Sequence, residues 1–351
     1  MDSISRPAPS VKAIDLFCGA AGLSLGLQRS GIEVVAGIDV DPACRYPFET
    51  NIGACFHQED VAALDGDGIK SMFGAGGVRL LAGCAPCQPF SGYTTKRRAI
   101  DERWQLLLEF ARLVEQARPE LITLENVPRL AQLPLWNDFV HRLEAAGYHV
   151  SWEVLDASRY GVPQARRRLV MLGSRLGKIA LPKPSDQVIN VRQAIGALPD
   201  VPAGTSYGPD PLHASRALTP ANLTRIRASR PSGTWRDWPE DMRVKCHTTA
   251  RGKTYPSVYG RMAWEKPSPT ITTQFYGFGN GRFGHPEQDR AITLREGAIL
   301  QSFPPEFAFV PPARKVNFRE IGRLIGNAVP PALAQAVGEA ILAHVRQADA
   351  G

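Results

Sequence analysis

The sequence predicts an α/β fold, in which a domain of alternating strands and helices is followed by a smaller, irregular domain. Between residues 12 and 156 short apolar strands alternate with amphipathic helices, which is the rhythm of parallel βαβ units. After residue 180 prolines and glycines become frequent and helical periodicity fades. We therefore expect a first domain at 11–180, a second at 181–314 and a C-terminal segment, 315–351, that returns to the first domain.

The predicted elements follow from apolar runs and from the residues that end them. Buried strands are expected at 13–17, 34–39, 79–83 and 121–125, and helices at 22–30, 103–117, 137–146 and 331–345. The segment 157–173 is expected to return to the sheet. The last helix has apolar residues at helical spacing, so it should pack on the first domain.

Composition places the chain among globular proteins, because 44% of its 351 residues are hydrophobic and can fill a core. Residues 1–10 contain no apolar signal segment, and no later stretch offers the about 18 uninterrupted apolar residues of a membrane span. We therefore expect a cytoplasmic protein with no membrane contact. The cysteines are too scattered for a disulfide framework, and Cys84 and Cys87 lack the second pair of a zinc site, so free thiols and no metal are expected.

The net charge of +7 favours a polyanionic partner, although many ordinary enzymes are as basic. Its distribution is more informative, because arginines and lysines crowd at 96–98, at 166–168 and between 216 and 253. Such clusters suit a surface that contacts phosphates. For any one cluster, a solvated surface patch is an equally good interpretation.

Cys87 lies in a setting that suits a nucleophile. It follows a short apolar strand and comes directly after Pro86, which fixes φ and lacks a backbone donor. Pro89 prevents the strand from continuing, so the thiol should lie on a turn that faces a cleft. Cysteine is also a common small core residue, which is the alternative interpretation of any single thiol.

Further residues follow strand ends as they do in ligand-binding sheets. Gly19 and Gly22 separate the first strand from its helix, where backbone can approach a ligand closely. Asp39 ends the next strand, where a carboxylate would bind a ribose diol, and Asp60 could accept from an adenine amino group. The turn lacks the full dinucleotide spacing and could serve tight packing alone, but together these residues favour an adenosyl ligand.

A carboxyl group and an arginine cluster complete the candidate chemistry. Glu125 follows an apolar strand at the edge where open α/β sheets place their sites, and a carboxyl group in such a cleft can hold a proton. Arg166 and Arg168 offer guanidinium donors for a phosphate or a carbonyl oxygen. An ordinary strand-end carboxylate and an exposed run of arginines are the alternatives.

Six motifs occur in the order typical of one enzyme family. They are Phe17-x-Gly19-x-x-Gly22, Pro86-Cys87-Gln88, Glu125-Asn126-Val127, Gln164-x-Arg166-x-Arg168, the stretch 261–273 with Pro267-Ser268-Pro269-Thr270, and Gly326-Asn327-Ala328-Val329-Pro330. In this order the chain resembles the DNA cytosine-5 methyltransferases, of the bacterial or phage type found in restriction-modification systems. The resemblance runs from about residue 12 to residue 345.

The resemblance implies a Rossmann-like, S-adenosylmethionine-dependent methyltransferase domain with a smaller, irregular target-recognition domain. It implies methyl transfer to carbon 5 of a cytosine that is flipped out of a specific duplex DNA sequence. Cys87 would add to carbon 6 and form a covalent adduct, Glu125 would protonate ring nitrogen 3, and Arg168 would hold the exocyclic oxygen. Arg166 would brace the Cys87 loop.

The family's cofactor contacts can be transferred to positions of this chain. The resemblance assigns S-adenosylmethionine to Phe17, Gly19, Ala20, Gly22, Asp39, Val40, Asp60, Val61, Pro86, Leu106 and Asn327. The family often has glycine and proline at the positions of Cys84 and Ala85, and commonly glutamate at that of Asp39. The shorter acid would loosen cofactor binding.

Double-stranded DNA is the partner that the resemblance implies. The expected contacts are Ser91, Arg97, Arg98, Arg236, Arg243, Lys245, Arg251, Lys253 and Arg261. A cognate restriction endonuclease that acts on the same DNA site is a further expected partner. We expect the protein to be a monomer.

Three other functions are compatible with parts of this pattern. One branch of the family methylates tRNA, but its usual Cys-Phe-Thr signature is not found in this sequence. A catalytically silent DNA-binding regulator would not need Cys87, Glu125 and Arg168 together. A nicotinamide oxidoreductase with a redox CxxC pair would account for the glycine turn, but not for the arginine motif or the basic second domain.

Overall fold

The computed structural model describes residues 10–86, 98–250 and 252–350, and of 98–104 it describes the backbone only. The chain forms two compact units. Unit 1 consists of Met1–Asp156, Arg167–Pro184 and Val329–Gly351, and unit 2 of Ala157–Arg166 and Ser185–Ala328. Each unit draws on separate stretches of sequence, and the limits of these stretches differ from those expected at 11–180, 181–314 and 315–351. Those functional domain assignments stay a prediction.

The strands fall into one large sheet and two small ones. In chain order they are β1 (Val11–Leu16), β2 (Glu33–Ile38), β3 (Cys55–His57), β4 (Val78–Gly83), β5 (Leu121–Asn126), β6 (His149–Asp156), β7 (Gln164–Ala165), β8 (Arg167–Ser174), β9 (Ser206–Tyr207), β10 (Asp210–Ala214) and β11 (Ser268–Pro269). The seven-stranded sheet of unit 1 has the order β3-β2-β1-β4-β5-β8-β6. Strands β1 to β5 run parallel, and β8 is antiparallel to both of its neighbours.

The described residues form eleven α-helices, six in unit 1 and five in unit 2. In chain order they are α1 (Gly22–Ser30), α2 (Arg45–Ile52), α3 (Gly66–Phe73), α4 (Arg98–Ala117), α5 (Pro134–Ala145), α6 (Val191–Ile195), α7 (Pro220–Arg227), α8 (Lys245–Thr248), α9 (Leu294–Leu300), α10 (Phe318–Asn327) and α11 (Pro331–Ala350). Short 3-10 helices occupy Pro42–Cys44, Val61–Ala63, Pro128–Gln132, Ala157–Tyr160, Trp235–Asp237, Glu240–Met242, Gly252–Thr254 and Phe278–Asn280. Helices α6 to α10 belong to unit 2.

The core of unit 1 lies between the sheet and its helices. Ile14 on β1, Leu81 on β4 and Met171 on β8 are fully buried against Phe110 of α4 and Trp136 of α5. Because helices cover these strands, their residues read as continuous apolar runs, as they do in other parallel sheets.

Helix α11 packs against α1, and this contact depends on Gly26. A Cβ atom at Gly26 would lie 2.3 Å from the Cβ of Ala334 and 2.4 Å from the carbonyl oxygen of Pro331, closer than real Cβ contacts come. The two helix backbones therefore meet at this glycine. The last helix packs on the unit that holds the sheet, as the sequence predicts.

Unit 2 is irregular and contains little sheet. Strand β11 pairs in parallel with β7, and β9 forms a short antiparallel pair with β10. Its aromatic core contains Trp235, Trp238 and Phe278, all of them buried. Arg290 and Glu296, both buried, form an ion pair 2.7 Å long that ties α9 to the loop before it.

The predicted elements agree with the structure where apolar runs are buried. The helix predicted at 22–30 has those bounds, and the strands predicted at 13–17, 34–39, 79–83 and 121–125 differ from β1, β2, β4 and β5 by one or two residues at an end. The sequence did not predict β3, β6, α2 or α3. The prediction of sheet over 157–173 is wrong in its first half, because 157–160 forms a 3-10 helix and 157–166 belongs to unit 2.

One helical stretch of the described chain, Phe318–Ala350, is long and apolar enough to span a membrane by length and composition. Its most apolar window is 61% buried inside the protein, as the core helix of a soluble protein would be. The stretch is therefore weak evidence for a membrane contact.

Candidate active site

The turn between β1 and α1 contains residues in the left-handed region of φ. Phe17, Gly19 and Ala21 have φ values of 59°, 52° and 63°. Non-glycine residues in this region are uncommon and concentrate at functional sites. The backbone N–H of Gly19 donates to Oδ2 of Asp39 over 3.0 Å, which ties the turn to the end of β2. A Cβ atom on Gly19 would meet no atom within 4 Å, so open space lies beside the turn.

The ends of β2 and β3 carry two acids and an exposed apolar side chain. Oδ1 of Asp39 accepts from a backbone N–H two residues further on over 2.9 Å, so both oxygens of this carboxylate are fixed. Val40 is 60% exposed, which leaves its apolar surface available to a ligand. Asp60 accepts from the backbone N–H of Ala62 over 2.9 Å and begins a 3-10 helix, of which Val61 is buried.

The other expected cofactor residues occupy varied positions. Ala20 and Gly22 are buried at the start of α1, so the turn presents backbone there. Leu106 is half-buried on α4, and Pro86 is exposed after β4. Asn327 is exposed at the end of α10 in unit 2.

Asp15 is an acid that sequence reasoning missed. It lies inside β1, has no exposed surface, and accepts from the hydroxyl of Ser24 over 2.6 Å at Oδ2. Its Oδ1 accepts no hydrogen bond from any residue that the structure describes. Desolvation by burial raises the pKa of Asp15 to about 7, against the hydrogen bonds from Ser24 that lower it. The signal in the sequence was an acid within an apolar strand, immediately before the glycine turn.

Glu125 lies at the end of β5 with two partners. Strands β4 and β5 pair in parallel with Gly83 opposite Leu124, which brings their carboxyl ends together. Nε of Arg168 lies 2.9 Å from Oε1 of Glu125 as an ion pair, although the angle is not that of a hydrogen bond. The thiol of Cys84 donates to Oε2 over 3.0 Å. The glutamate side chain is 8% exposed and that of the arginine 13%.

Asn126 ties the segment after β4 to β5. Its Nδ2 donates to the carbonyl oxygen of Ala85 over 3.1 Å, and its Oδ1 accepts from the backbone N–H of Val127 over 2.7 Å. The chain from Cys84 to Ala85 is thus held by the two residues that end β5. Cys87, two residues beyond Ala85, lies outside the described residues. Its expected attack on cytosine therefore stays a prediction.

Arg166 is buried in unit 2 and binds main-chain carbonyls. Its guanidinium donates to the carbonyl oxygens of Ile271 over 3.0 Å, Gly326 over 3.3 Å and Ala328 over 3.4 Å. Gly326 itself has no room for a side chain, because a Cβ atom there would lie 2.5 Å from the backbone of Thr272. Three of the predicted motifs are therefore joined within unit 2. The expected brace on the Cys87 loop stays a prediction, because that loop is not described.

A cavity of about 580 Å³ opens in unit 2. It is lined by Trp235, Arg236, Glu240, Arg243, His247, Thr248 and Lys253. The rings of Trp235 and His247 stack with centroids 4.6 Å apart. Arg236, Arg243 and Lys253, three of the expected DNA contacts, thus line one concave surface.

The remaining expected DNA contacts have different environments. Lys245 is exposed on α8. Arg261 is 5% exposed and donates to the carbonyl oxygens of Ile226, Ser229, His285 and Gln288, besides an ion pair with Asp289. The structure therefore does not support a DNA contact from Arg261, because its guanidinium is buried and engaged. Ser91, Arg97, Arg251 and the side chain of Arg98 lie outside the described residues.

Comparison with known proteins identifies the family of this chain. Residues 11–343 match the model of the C-5 cytosine-specific DNA methylase family. The chain belongs to this family. It is 45% identical over 334 residues to the type II methylase M.HgiDII of Herpetosiphon aurantiacus, covering 93% of this chain and 94% of the relative. It is 33% identical to the type II methyltransferase M1.HphI of Haemophilus parahaemolyticus, covering 95% of this chain and 87% of that protein.

Solved structures agree on the fold of the methyltransferase. A protein described as a prophage-encoded DNA modification methyltransferase (E. coli) superposes with a TM-score of 0.75 at 23% identity, covering 96% of this chain and 100% of the other. Dnmt2 of S. pombe gives 0.63 at 16% identity, covering 96% and 98%. The predicted α/β, Rossmann-like methyltransferase fold is confirmed. The predicted enzyme class, a DNA cytosine-5 methyltransferase, is confirmed by the family match, and the oxidoreductase alternative is excluded.

Proposed function

We propose that this methyltransferase moves a methyl group from S-adenosylmethionine to carbon 5 of a flipped-out cytosine, through a covalent bond to Cys87. The observation that carries the proposal is the placement of Glu125. Its carboxyl group is held by Arg168 and Cys84, at the strand end next to the segment that leads into Cys87. A buried carboxyl beside a guanidinium suits a polar ring that gains charge during the reaction.

Each residue has a defined role in the proposed reaction. The thiolate of Cys87 adds to carbon 6, while Glu125 protonates or hydrogen-bonds ring nitrogen 3 and Arg168 holds the exocyclic oxygen. The ring thereby becomes an enamine whose carbon 5 is nucleophilic. The cofactor supplies the electrophilic methyl group. Carbon 5 bonds to the methyl carbon, and S-adenosylhomocysteine would leave with the electrons of the broken sulfur–methyl bond. A water then removes the proton from carbon 5, the bond between Cys87 and carbon 6 breaks, and ring nitrogen 3 returns its proton to Glu125.

The described residues fit S-adenosylmethionine at the glycine turn. Open space lies beside Gly19, where a backbone amide edge can approach a ligand. Asp39 is held rigidly at the end of β2, as a carboxylate that binds a ribose should be. The exposed Val40 offers an apolar contact to an adenine. The assignments of Phe17, Ala20, Gly22, Asp60, Val61, Pro86, Leu106 and Asn327 rest on the motifs.

Unit 2 is proposed to recognise the DNA target. Its cavity is lined by Arg236, Arg243 and Lys253. Lys245, two residues after Arg243 in the sequence, is exposed. Cationic side chains on a concave surface suit phosphate and base-edge contacts. Ser91, Arg97, Arg98 and Arg251 are proposed as further contacts from sequence alone. The type II relatives favour a cognate restriction endonuclease as a partner. A cytoplasmic location and monomeric action are proposed from the sequence alone.

Bisulfite sequencing of plasmid DNA from expressing cells tests this proposal, with Cys87→Ser as the matched control. We expect protected cytosines in one recurring sequence context with the wild type and none with the variant. Loss of protection with retained DNA and cofactor binding would support covalent catalysis by Cys87. Equal protection by the folded Cys87→Ser variant would overturn it, and wild-type methylation of RNA but not DNA would overturn the substrate.

A further inference from the structure

Cys84 makes a contact that the proposed reaction does not use. Its thiol donates to Oε2 of Glu125 over 3.0 Å, which is short for a sulfur donor. The backbone N–H of Cys84 donates to the carbonyl oxygen of Leu16 over 3.3 Å, so the end of β1 fixes the residue. The thiol therefore reaches the carboxyl group from a backbone that cannot easily move away.

Glu125 needs two anchors if its carboxyl plane is to be fixed. The terminal torsion of a glutamate side chain is broad, so one contact on Oε1 leaves the plane free to turn. Arg168 supplies that contact as an ion pair without hydrogen-bond geometry. Among the described residues, Cys84 donates to Oε2, while Nδ2 of Asn126 donates to the carbonyl oxygen of Ala85. The thiol of Cys84 is the second anchor.

We propose that Cys84 is a positioning residue, which sets the orientation of the Glu125 carboxyl group toward the target cytosine. The proposal rests on the proposed role of Glu125 at ring nitrogen 3. A protonated carboxyl group keeps acceptor capacity, so Glu125 can accept from the thiol at Oε2 and still donate its proton to ring nitrogen 3. Since a small misplacement of a reacting group lowers the rate strongly, loss of the thiol should slow methyl transfer without weakening binding.

A double-mutant cycle on single-turnover methyl transfer tests the proposal. We expect Cys84→Ala to lower the rate about tenfold, which is the effect of losing one hydrogen bond that orients a reacting group. Dissociation constants for S-adenosylmethionine and duplex DNA should stay within about twofold. Cys84→Ser, which keeps a donor at the same place, should restore most of the rate. In the Glu125→Gln background, Cys84→Ala should lower the rate by less than about twofold, because the proton-donating carboxyl group that Cys84 orients is already lost.

Three variants make the outcomes distinguishable. Cys55→Ala, a change at an exposed cysteine on β3, should leave the rate unchanged. Cys84→Gly introduces the residue that the family often has at this position, so it serves if the alanine variant does not fold. The positioning role would be overturned if Cys84→Ala and Cys84→Gly both left the rate unchanged. It would also be overturned if Cys84→Ala lowered the rate by the same factor in the wild type and in the Glu125→Gln background. Normal turnover of Glu125→Gln alone would instead overturn the proposed role of Glu125.

Discussion

At the residue scale, the burial of Asp15 makes stability depend on pH. Desolvation raises its pKa from 3.8 in the unfolded chain to about 7 in the fold. Between these values the unfolded chain releases the proton while the folded protein keeps it, so the free energy of unfolding falls as pH rises through this window. Above pH 7 the folded state carries the buried charge and the cost is complete. Below pH 3.8 both states hold the proton and the cost is absent.

Asp15→Asn removes this titration and should stabilise the protein selectively at high pH. We expect the difference in unfolding free energy, variant minus wild type, to rise by on the order of 2–3 kcal/mol between pH 5 and pH 8. Urea denaturation at several pH values measures it. Asp67→Asn is the matched control, because Asp67 is 91% exposed and its variant should show a flat difference. A flat difference for Asp15→Asn as well would contradict the raised pKa.

Arginines show what the sequence could and could not predict at this scale. Arg236 and Arg261 both lie in the expected second domain, and both were expected to contact DNA. Arg236 lines a cavity, whereas Arg261 is buried and holds together the loops around Ser229 and Gln288. Local sequence identifies a guanidinium but not whether carbonyl groups from distant segments surround it. Motif order located Glu125 and Arg168, while their contact required the pairing of β5 with β8.

At the element scale, Gly26 controls how closely α1 and α11 pack. Gly26→Val would place a branched side chain where even a Cβ lies 2.3 Å from Ala334, so the helices must separate. Overpacking of this kind costs about 1–3 kcal/mol of unfolding free energy. Urea denaturation followed by circular dichroism measures the loss.

Gly208→Val is a suitable control for that experiment. No atom lies within 4 Å of a Cβ placed on Gly208, so we expect little change in stability. If Gly26→Val were as stable as the wild type, the close approach of α1 and α11 at this position would be refuted.

Sequence patterns predicted the buried elements and missed the exposed or short ones. Helix α1 has an apolar face and ends at Gly31, which adopts a φ of 101°, so both of its limits were predictable. Strand β6 lies at the edge of the sheet and most of its residues are partly or fully exposed, which leaves only a weak apolar pattern. Helix α3 begins with Gly66 and contains Gly68, both poor helix formers, and depends on Asp65 as its N-cap.

At the scale of the whole molecule, the net charge of +7 should make DNA binding depend on salt. Affinity falls as salt concentration rises, and each cation that contacts a phosphate makes the slope of log affinity against log salt concentration steeper by about 0.9. We expect Arg236→Gln and Lys253→Gln each to reduce that slope by about this amount. Fluorescence anisotropy with a duplex at several salt concentrations measures it.

The control for that measurement is a cation outside unit 2. Lys183 is exposed in unit 1, and Lys183→Gln should leave the slope as it is in the wild type. Unchanged slopes for Arg236→Gln and Lys253→Gln would show that the cavity of unit 2 does not contact the phosphates.

The packing of α11 on α1 also determines when the protein can finish folding during synthesis. The ribosome makes α1 before Ser185–Ala328, which is the larger part of unit 2, and makes α11 after it. While unit 2 emerges, the face of α1 at Gly26 has no partner helix, and chaperones can bind it. The sheet of unit 1 is started first, but its outer helix layer is completed last.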